Sequence, residues 1–325
     1  MSELIPSFDF QAVFIVPWQE DFQGYFLIAT MGFLISLSCG LIGNFIMLRR
    51  MALIGDAISH SVLPGLAVAL FLSKSLATTA MFIGALVAGI LTTVLIELIH
   101  QNSRVKPDAA IGIVFTSLFA LGVILINVYA GEVHLDTECV LYGEIAFIPF
   151  EPLIDIGGRE WFPGSVLRMG GVTLLVILGI VLFYKELLVT SFDPGLSVSL
   201  GISTRTTHYL LMGLLSLVIV SAFQSVGAIL VIAMLILPGA TASMLCSRLP
   251  AILWLTAGLC LPATLAGIHL SIWLDCSMAG AMVIASAVFF ILAWLFSPRR
   301  GLLQQLIQKV RLPEVHNLTL DNSQE

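Results

Sequence analysis

Asp56 and His60 are two ionisable side chains in an otherwise apolar stretch, and their spacing gives them a shared chemistry. In the segment GDAISHSVLPG, residues 55–65, they stand four positions apart. On a helix this spacing puts a carboxylate and an imidazole on one face, one turn from each other. Both groups are ligands for borderline divalent cations such as manganese, iron and zinc. The pair therefore predicts a site for a divalent metal ion.

Pro64 follows His60 by four residues and adds an oxygen to the same neighbourhood. Proline has no N–H, so the carbonyl of His60 loses its intrahelical partner. That oxygen is then free to face a cavity, water or an ion. An ionisable group inside a membrane is a functional hypothesis by default, because a charge there costs a few kcal/mol or more. We therefore predict that Pro64 kinks or gates the helix beside the metal site.

A purely structural role for the pair is the alternative. Asp56 follows Gly55 and could be the N-cap of its helix. His60 could donate a hydrogen bond to a neighbouring carbonyl. The sequence alone leaves both interpretations open.

The elements that must position these residues are membrane helices. Of the 325 residues, 58% are hydrophobic and 10% charged, whereas a soluble domain carries about 25% charged residues. Mean hydropathy is +1.04, and apolar runs of about 20 residues are long enough to cross a bilayer. The pattern predicts an all-α, polytopic membrane bundle of about nine transmembrane helices. The predicted spans are 22–48, 51–73, 76–99, 109–130, 165–184, 207–223, 226–247, 250–274 and 277–297.

The lysines and arginines predict an N-terminus outside the cell and a C-terminus in the cytoplasm. With nine crossings, eleven of the fourteen basic residues face the cytoplasm, and only Lys74, Arg159 and Arg168 face out. The predicted division is an extracytoplasmic segment 1–21, a transmembrane domain 22–298 and a cytoplasmic tail 299–325.

Two connections exceed hairpin length. The external loop 131–164 carries seven acidic residues, and we expect it to be solvated or to dock a partner. The alternating His134, Asp136 and Glu138 within it are a weaker hypothesis for cation entry. The cytoplasmic segment 185–206 mixes apolar residues with turn formers, which favours a short helix lying against another protein. An interfacial loop with one turn is the alternative.

Other polar and small residues carry milder expectations. Pro238, in the span 226–247, predicts a kink or gate by the same chemistry as Pro64. We expect Glu97 and His100 to be interface residues, and His208 and His269 to be satisfied by packing. Rows of small residues at four-residue spacing predict close helix contacts. These rows are Ala80, Gly84 and Ala88, and Ser36, Gly40 and Asn44.

Several functional classes are excluded by what the sequence lacks. The net charge is −6 and no basic stripe is present, so nucleic acid is not expected as a partner. There is no GxxxxGK[ST], HExxH or GxSxG motif, which argues against an ATPase, a zinc protease or a serine hydrolase. Five cysteines occur without a CxxC pair, so we expect neither a disulfide framework nor a zinc ribbon.

The segment GDAISHSVLPG resembles the GDAxSHxxLPG signature of the membrane subunits of ABC-type manganese, zinc and iron uptake systems, the ABC-3 family. It matches at every fixed position. Three further stretches, 107–123, 192–202 and 226–242, resemble other patterns of the family, so the likeness runs from about 24 to 298. One departure is visible: the alanine usual in the cytoplasmic segment is a serine, Ser197 or Ser199 depending on alignment.

This resemblance implies a permease subunit of an ATP-driven metal importer in a bacterial cytoplasmic (inner) membrane. Its partners would be a dimer of ATP-binding subunits, a second membrane subunit (identical or paralogous), an extracytoplasmic metal-binding protein and membrane lipid. Manganese, zinc or iron would be cargo, with no permanently bound cofactor and no catalytic site. Asp56 and His60 would form a transient transport site. The residues implied to contact the ATPase are Phe192, Asp193, Pro194 and Gly201.

Two other functions compete with a permease subunit. A self-sufficient secondary metal transporter, driven by protons through Asp56 and His60, would predict inverted repeats with interrupted helices in both halves. Apart from the prolines at 64 and 238, the halves do not mirror each other. A scaffolding membrane protein gives no reason for the Asp-His-Pro arrangement.

Overall fold

The chain folds into a bundle of membrane-length helices, as the apolar pattern predicts. The computed structural model describes residues 7–73, 78–129, 145–155, 160–297 and 301. The first seven helices are α1 (Phe10–Phe14), α2 (Val16–Glu20), α3 (Phe22–Leu48), α4 (Ile54–Ser61), α5 (Leu63–Ser73), α6 (Thr78–Asn102) and α7 (Pro107–Tyr129). The remaining six are α8 (Gly164–Leu182), α9 (Tyr184–Phe192), α10 (Pro194–Ser199), α11 (Thr204–Leu245), α12 (Leu249–Leu274) and α13 (Met278–Phe296).

Eight helical segments among the described residues are long and apolar enough to cross a membrane. They are Phe22–Leu48, Ile54–Ser73, Thr79–Asn102, Pro107–Val128, Gly164–Leu182, Thr204–Phe223, Leu249–Leu274 and Met278–Phe296. The ninth predicted span, 226–247, corresponds to a shorter apolar helix, Leu230–Leu245. That helix is the second half of α11.

The long helix α11 turns back on itself at Gly227. This residue has φ 70° and ψ 172°, a conformation that is essentially restricted to glycine. His208 lies 3.2 Å from Arg49 at the end of α3, and a Cβ on Gly239 would lie 2.8 Å from Asn44 Oδ1 near that same end. A straight helix would separate 208 from 239 by about 46 Å. The two halves of α11 therefore run antiparallel, and they correspond to the predicted spans 207–223 and 226–247 as a helical hairpin.

The N-terminal segment and the end of α13 lie at opposite ends of the bundle, as an odd number of crossings requires. His269 Nδ1 lies 3.0 Å from the Val13 carbonyl oxygen, just before the start of α3. Ser297 Oγ donates to the Met244 carbonyl at 2.6 Å, at the end of α11 that packs beside the last turns of α3. Which end faces the cytoplasm stays a prediction from the positions of the lysines and arginines.

Helix α3 is central and packs against α8, α11 and α12. Small residues let these backbones approach: a Cβ on Gly43 would lie 1.7 Å from the Leu235 carbonyl oxygen. The predicted Ala80–Gly84–Ala88 row packs against α5, where a Cβ on Gly65 would lie 2.2 Å from the Gly84 carbonyl oxygen. Such contacts replace the hydrophobic driving force that helices lack within lipid.

The external connection contains structure that the all-α prediction omits. A 3₁₀ helix, Ile145–Phe150, buries Ile145 and Ile148 against the bundle. Strands β1 (Leu153–Asp155) and β2 (Glu160–Pro163) then form an antiparallel pair. Strands are tolerated here because a segment outside the hydrocarbon can satisfy its backbone with water.

Some predicted features lie outside the described residues. They are the alternating His134, Asp136 and Glu138, most of the loop 131–164 before Ile145, the basic residues Lys74 and Arg159, and the tail 299–325 except for residue 301.

Candidate metal-transport site

The structure brings Asp56 and His60 together on one face of α4, as their spacing predicts. His60 Nε2 lies 3.4 Å from Asp56 Oδ1. The Asp56 side chain is 44% exposed and the His60 side chain 28% exposed. The intervening Ala57, Ile58 and Ser59 are buried. The helix therefore presents a polar face with a carboxylate and an imidazole, while its other side packs into the bundle.

Asp56 is not the N-cap of its helix. Leu53 occupies the N-cap position of α4, and no side chain caps it. Gly55, beside Asp56, packs against α11, where a Cβ would lie 2.6 Å from Leu235 Cδ2. The capping hypothesis for Asp56 is therefore wrong, and its carboxylate remains available to a ligand.

Two aromatic rings of α7 flank the imidazole. The centroid of the His60 ring lies 5.5 Å from that of Phe115 and 5.9 Å from that of Phe119. These contacts restrict the orientation of the imidazole on the side of α7. On its other side the imidazole lies beside the partly exposed Asp56 carboxylate.

Pro64 lies just after a division of the predicted second span. The helical hydrogen-bond pattern breaks at Val62, between α4 and α5, although Val62 keeps helical angles (φ −68°, ψ −26°). Pro64 is the second residue of α5. Helix α7 packs over this point, since a Cβ on Gly122 would lie 2.8 Å from Pro64 Cδ. The interruption agrees with a missing N–H at this proline. Its role as a gate stays a prediction.

Pro238 does not mark the break in its helix. Among the described residues of α11, the non-helical backbone angles occur at Gly227. Pro238 packs against α3, where a Cβ on Gly40 would lie 3.4 Å from the proline Cβ. The reversal of the chain lies at Gly227 because it needs a positive φ that proline cannot adopt. The role of Pro238 as a kink or gate within the second half of α11 stays a prediction.

The described residues contain no group of three or more histidine, cysteine, aspartate or glutamate side chains that could enclose a metal. Asp56 and His60 are thus two candidate ligands without a third from the described residues. Structural zinc sites close with four ligands. Two side chains on an open face instead suit an ion that keeps water or other ligands and is released again.

The segment 185–206, which we call the coupling segment, forms two short helices. The ends of the second helix are set by residues close to it in the sequence. Asp193 is the N-cap of α10, and its Oδ1 accepts from the Leu196 N–H at 2.9 Å. Pro194 occupies the first helical position, which suits its fixed φ. Gly201 adopts φ 77° after the helix, and the Ile202 N–H donates to the Ser197 carbonyl at 2.9 Å.

Helix α10 and its flanks present an apolar surface over which none of the described residues packs. Its exposed members are Phe192 (62%), Leu196 (47%), Val198 (68%) and Leu200 (60%). Ser197, one of the two serines at the family's alanine position, is buried, and its Oγ lies 2.8 Å from Thr204 Oγ1. The serine thus ties α10 to the start of α11 rather than altering the exposed surface.

A second polar cluster was missed by the sequence analysis. His208 Nε2 lies 3.2 Å from Glu97 Oε2, and Arg49 donates to His208 Nδ1 at 3.2 Å. The expectation that His208 is satisfied by packing is therefore wrong. No local spacing could have signalled this cluster, because its members come from three different helices. His269 does pack as expected, with its ring stacked on Phe14 at 4.4 Å.

The model of the ABC 3 transport family matches residues 24–297 of this chain. The chain is also 45% identical over 291 residues to the manganese transport system membrane protein MntD of Bacillus subtilis, covering 88% of this chain and 96% of that protein. It is 42% identical over 274 residues to the zinc transport system membrane protein TroD of Treponema pallidum, covering 84% and 74% of the two chains.

A solved structure has the same architecture. The chain superposes on a chain of PsaBC from Streptococcus pneumoniae, solved in complex with a Fab, with a TM-score of 0.74 and 35% sequence identity. The superposition covers 90% of this chain and 99% of that chain.

Proposed function

The chain belongs to the ABC 3 transport family, and on that premise we propose that it is the permease subunit of an ATP-driven importer of manganese or zinc ions. It is a multi-pass membrane protein and a non-enzymatic component of its transporter, since ATP hydrolysis resides on a separate subunit. The names of its relatives support the cargo: MntD is a manganese protein and TroD a zinc protein. We place it in a bacterial cytoplasmic membrane.

The Asp56–His60 pair is the observation that carries this proposal. A carboxylate and an imidazole 3.4 Å apart offer one hard and one borderline ligand, a combination that suits manganese, zinc and iron. The pair binds a partly dehydrated cation for a short time as it passes between helices. Its affinity is modest, because an ion held by a closed ligand set would not be released.

The coupling segment is the proposed contact with the ATPase dimer. Phe192 provides an exposed aromatic side chain, while Asp193, Pro194 and Gly201 fix the short helix that presents the apolar surface. A capped helix of six residues moves as a rigid unit, so ATP-driven closure of the ATPase dimer can displace it without unfolding it. That displacement switches the site between outward and inward access.

Two further partners complete the proposed assembly. A second membrane subunit, identical or paralogous, supplies the other wall of the passage, since the Asp56–His60 face is open in a single chain. An extracytoplasmic binding protein delivers the metal at the end that carries the 3₁₀ helix. Two exposed aromatic side chains there, Phe147 and Phe150, are available for that contact.

Reconstitution tests this function directly. The permease is placed in proteoliposomes with its ATPase and binding protein, and uptake of manganese, zinc and iron is measured separately by mass spectrometry. We expect ATP-dependent uptake that vanadate abolishes. The matched control is the permease alone with a pH gradient and no ATPase. Uptake in that control would establish the proton-coupled secondary transporter instead.

A further inference from the structure

Arg49 connects the coupling segment to the membrane bundle through hydrogen bonds. It is the C-cap of α3, and its guanidinium reaches the last turn of α9. Nη2 donates to Thr190 Oγ1 at 2.9 Å, and Nε donates to Ser191 Oγ at 3.3 Å. Both hydroxyl groups immediately precede the exposed Phe192 and the start of α10.

The same guanidinium also holds α11 and, through it, α6. Nη1 donates to His208 Nδ1 at 3.2 Å. Because arginine is a donor only, Nδ1 must accept, so Nε2 carries the proton that His208 donates to Glu97 Oε2 at 3.2 Å. Gln101 donates to Glu97, and Arg205 donates to Gln101 at 3.2 Å. One network thus joins α3, α6, α9 and α11.

Loss of these hydrogen bonds would leave the partly buried guanidinium of Arg49 without partners. Burial lowers the pKa of its guanidinium, because desolvation penalises the charged form. Glu97 is the carboxylate within this network, and it reaches Arg49 through His208. A cavity of about 500 Å³ borders the cluster, but the guanidinium is bonded to α9 and α11 at the same time. A displaced coupling segment would therefore pull on α3 and α11 rather than slip past them.

Two of the helices that Arg49 joins, α6 and α11, pack against α4, which carries the metal-transport site. After Arg49, Arg50 adopts a left-handed φ of 58°, and the Met51 N–H donates to the Ile46 carbonyl at 3.1 Å. This tight end of α3 leads directly into α4 and Asp56. On the other side, Gly55 packs against both arms of α11. A Cβ there would lie 2.6 Å from Leu235 Cδ2 on the second arm and 4.0 Å from Ile219 Cδ1 on the first arm, which carries His208.

We propose that Arg49 is a positioning residue that transmits displacement of the coupling segment to the Asp56–His60 site, an inference that rests on the proposed function. Arg49 does not touch the metal. It holds the end of α3 and the start of α11 to α9, so that the three helices move together when the ATPase closes.

The test uses the complete transporter in proteoliposomes with whichever of Mn²⁺ and Zn²⁺ the wild type imports. Uptake and ATP hydrolysis are measured on the same samples for Arg49→Gln and for the double variant Thr190→Val/Ser191→Ala. The double variant cuts the link while leaving every charge in place. We expect the metal imported per ATP hydrolysed to fall about tenfold, with assembly and hydrolysis retained. Arg49→Lys should recover part of the ratio, since lysine keeps the positive charge but lacks the several N–H donors of the planar guanidinium.

Arg104→Gln is the matched control, because Arg104 is exposed at the end of α6 and carries the same charge; its ratio should equal that of the wild type. If Arg49→Gln fails to assemble, the double variant decides the question. A wild-type ratio in the double variant, or an equal loss of uptake and hydrolysis, would overturn the role of Arg49. Absence of ATP-driven uptake in the wild type would instead overturn the proposed function.

Discussion

Two polar clusters among the described residues of the apolar bundle are built in opposite ways. The Asp56–His60 pair comes from one turn of one helix, and its side chains are 44% and 28% exposed. The Glu97–His208 pair comes from two helices, and both of its side chains are 15% exposed. The first pair faces open space, whereas the second is tied to Arg49 and further hydroxyl groups. The open pair is suited to binding and release, and the closed one to holding helices together.

The largest effect is expected from substitutions in the Asp56–His60 pair. Asp56→Asn and His60→Ala should each reduce metal uptake at least about tenfold, because each removes one of two ligands. The thermal unfolding midpoint of the purified permease should not fall in Asp56→Asn, and it should fall slightly in His60→Ala, which loses the ring contacts with Phe115 and Phe119. Asp275→Asn, at the end of α12, is the control. Normal uptake in both variants would show that the pair has a structural role and does not bind the metal.

An intermediate effect is expected from a substitution in the cluster of Glu97, His208 and Arg49. Glu97→Ala leaves His208 and the partly buried Arg49 without their carboxylate, so we expect a loss of about 2 kcal/mol in the free energy of unfolding. Denaturation of the detergent-solubilised permease measures it. Glu20→Ala, which removes an exposed carboxylate, should change stability by less than about 0.5 kcal/mol. Equal stability of the two variants would contradict the structural role of the cluster.

The smallest effect concerns the cap that shapes the ATPase contact. Asp193→Ala removes the hydrogen bond to the Leu196 N–H and should destabilise α10 by about 1 kcal/mol. Hydrogen exchange of the amides in α10 should accelerate by about fivefold while the rest of the bundle is unchanged. Asp9→Ala removes the equivalent cap from α1 and should leave α10 unaffected. Unchanged exchange in α10 would show that the cap does not hold this helix.

The difference between the clusters also explains what the sequence could predict. Asp56 and His60 were found because a helix converts four-residue spacing into proximity. The turn formers of the segment 185–206 predicted a short helix for the same reason, but the capping roles of Asp193 and Gly201 were not predicted and are seen only in the structure. Arg49, Glu97 and His208 are far apart in sequence, and only the packing of three helices brings them into contact.

The membrane helices show a similar boundary between local and long-range information. Apolar length predicted the eight full-length spans and the region of the ninth. It did not predict the position of the reversal in α11, because the sequence around a glycine in an apolar run does not indicate which φ that glycine adopts. Pro238 was the more visible signal, yet proline only interrupts a helix, whereas Gly227 can reverse it.

The reversal at Gly227 bears on how the protein enters the membrane during synthesis. The helix Leu230–Leu245 is about 24 Å long at 1.5 Å per residue, less than the roughly 30 Å of hydrocarbon that a span must cross. Such a short segment is not expected to move from the translocation machinery into lipid by itself. We therefore expect the two arms of this hairpin to partition into lipid as one unit, already paired, before the spans that follow them are made.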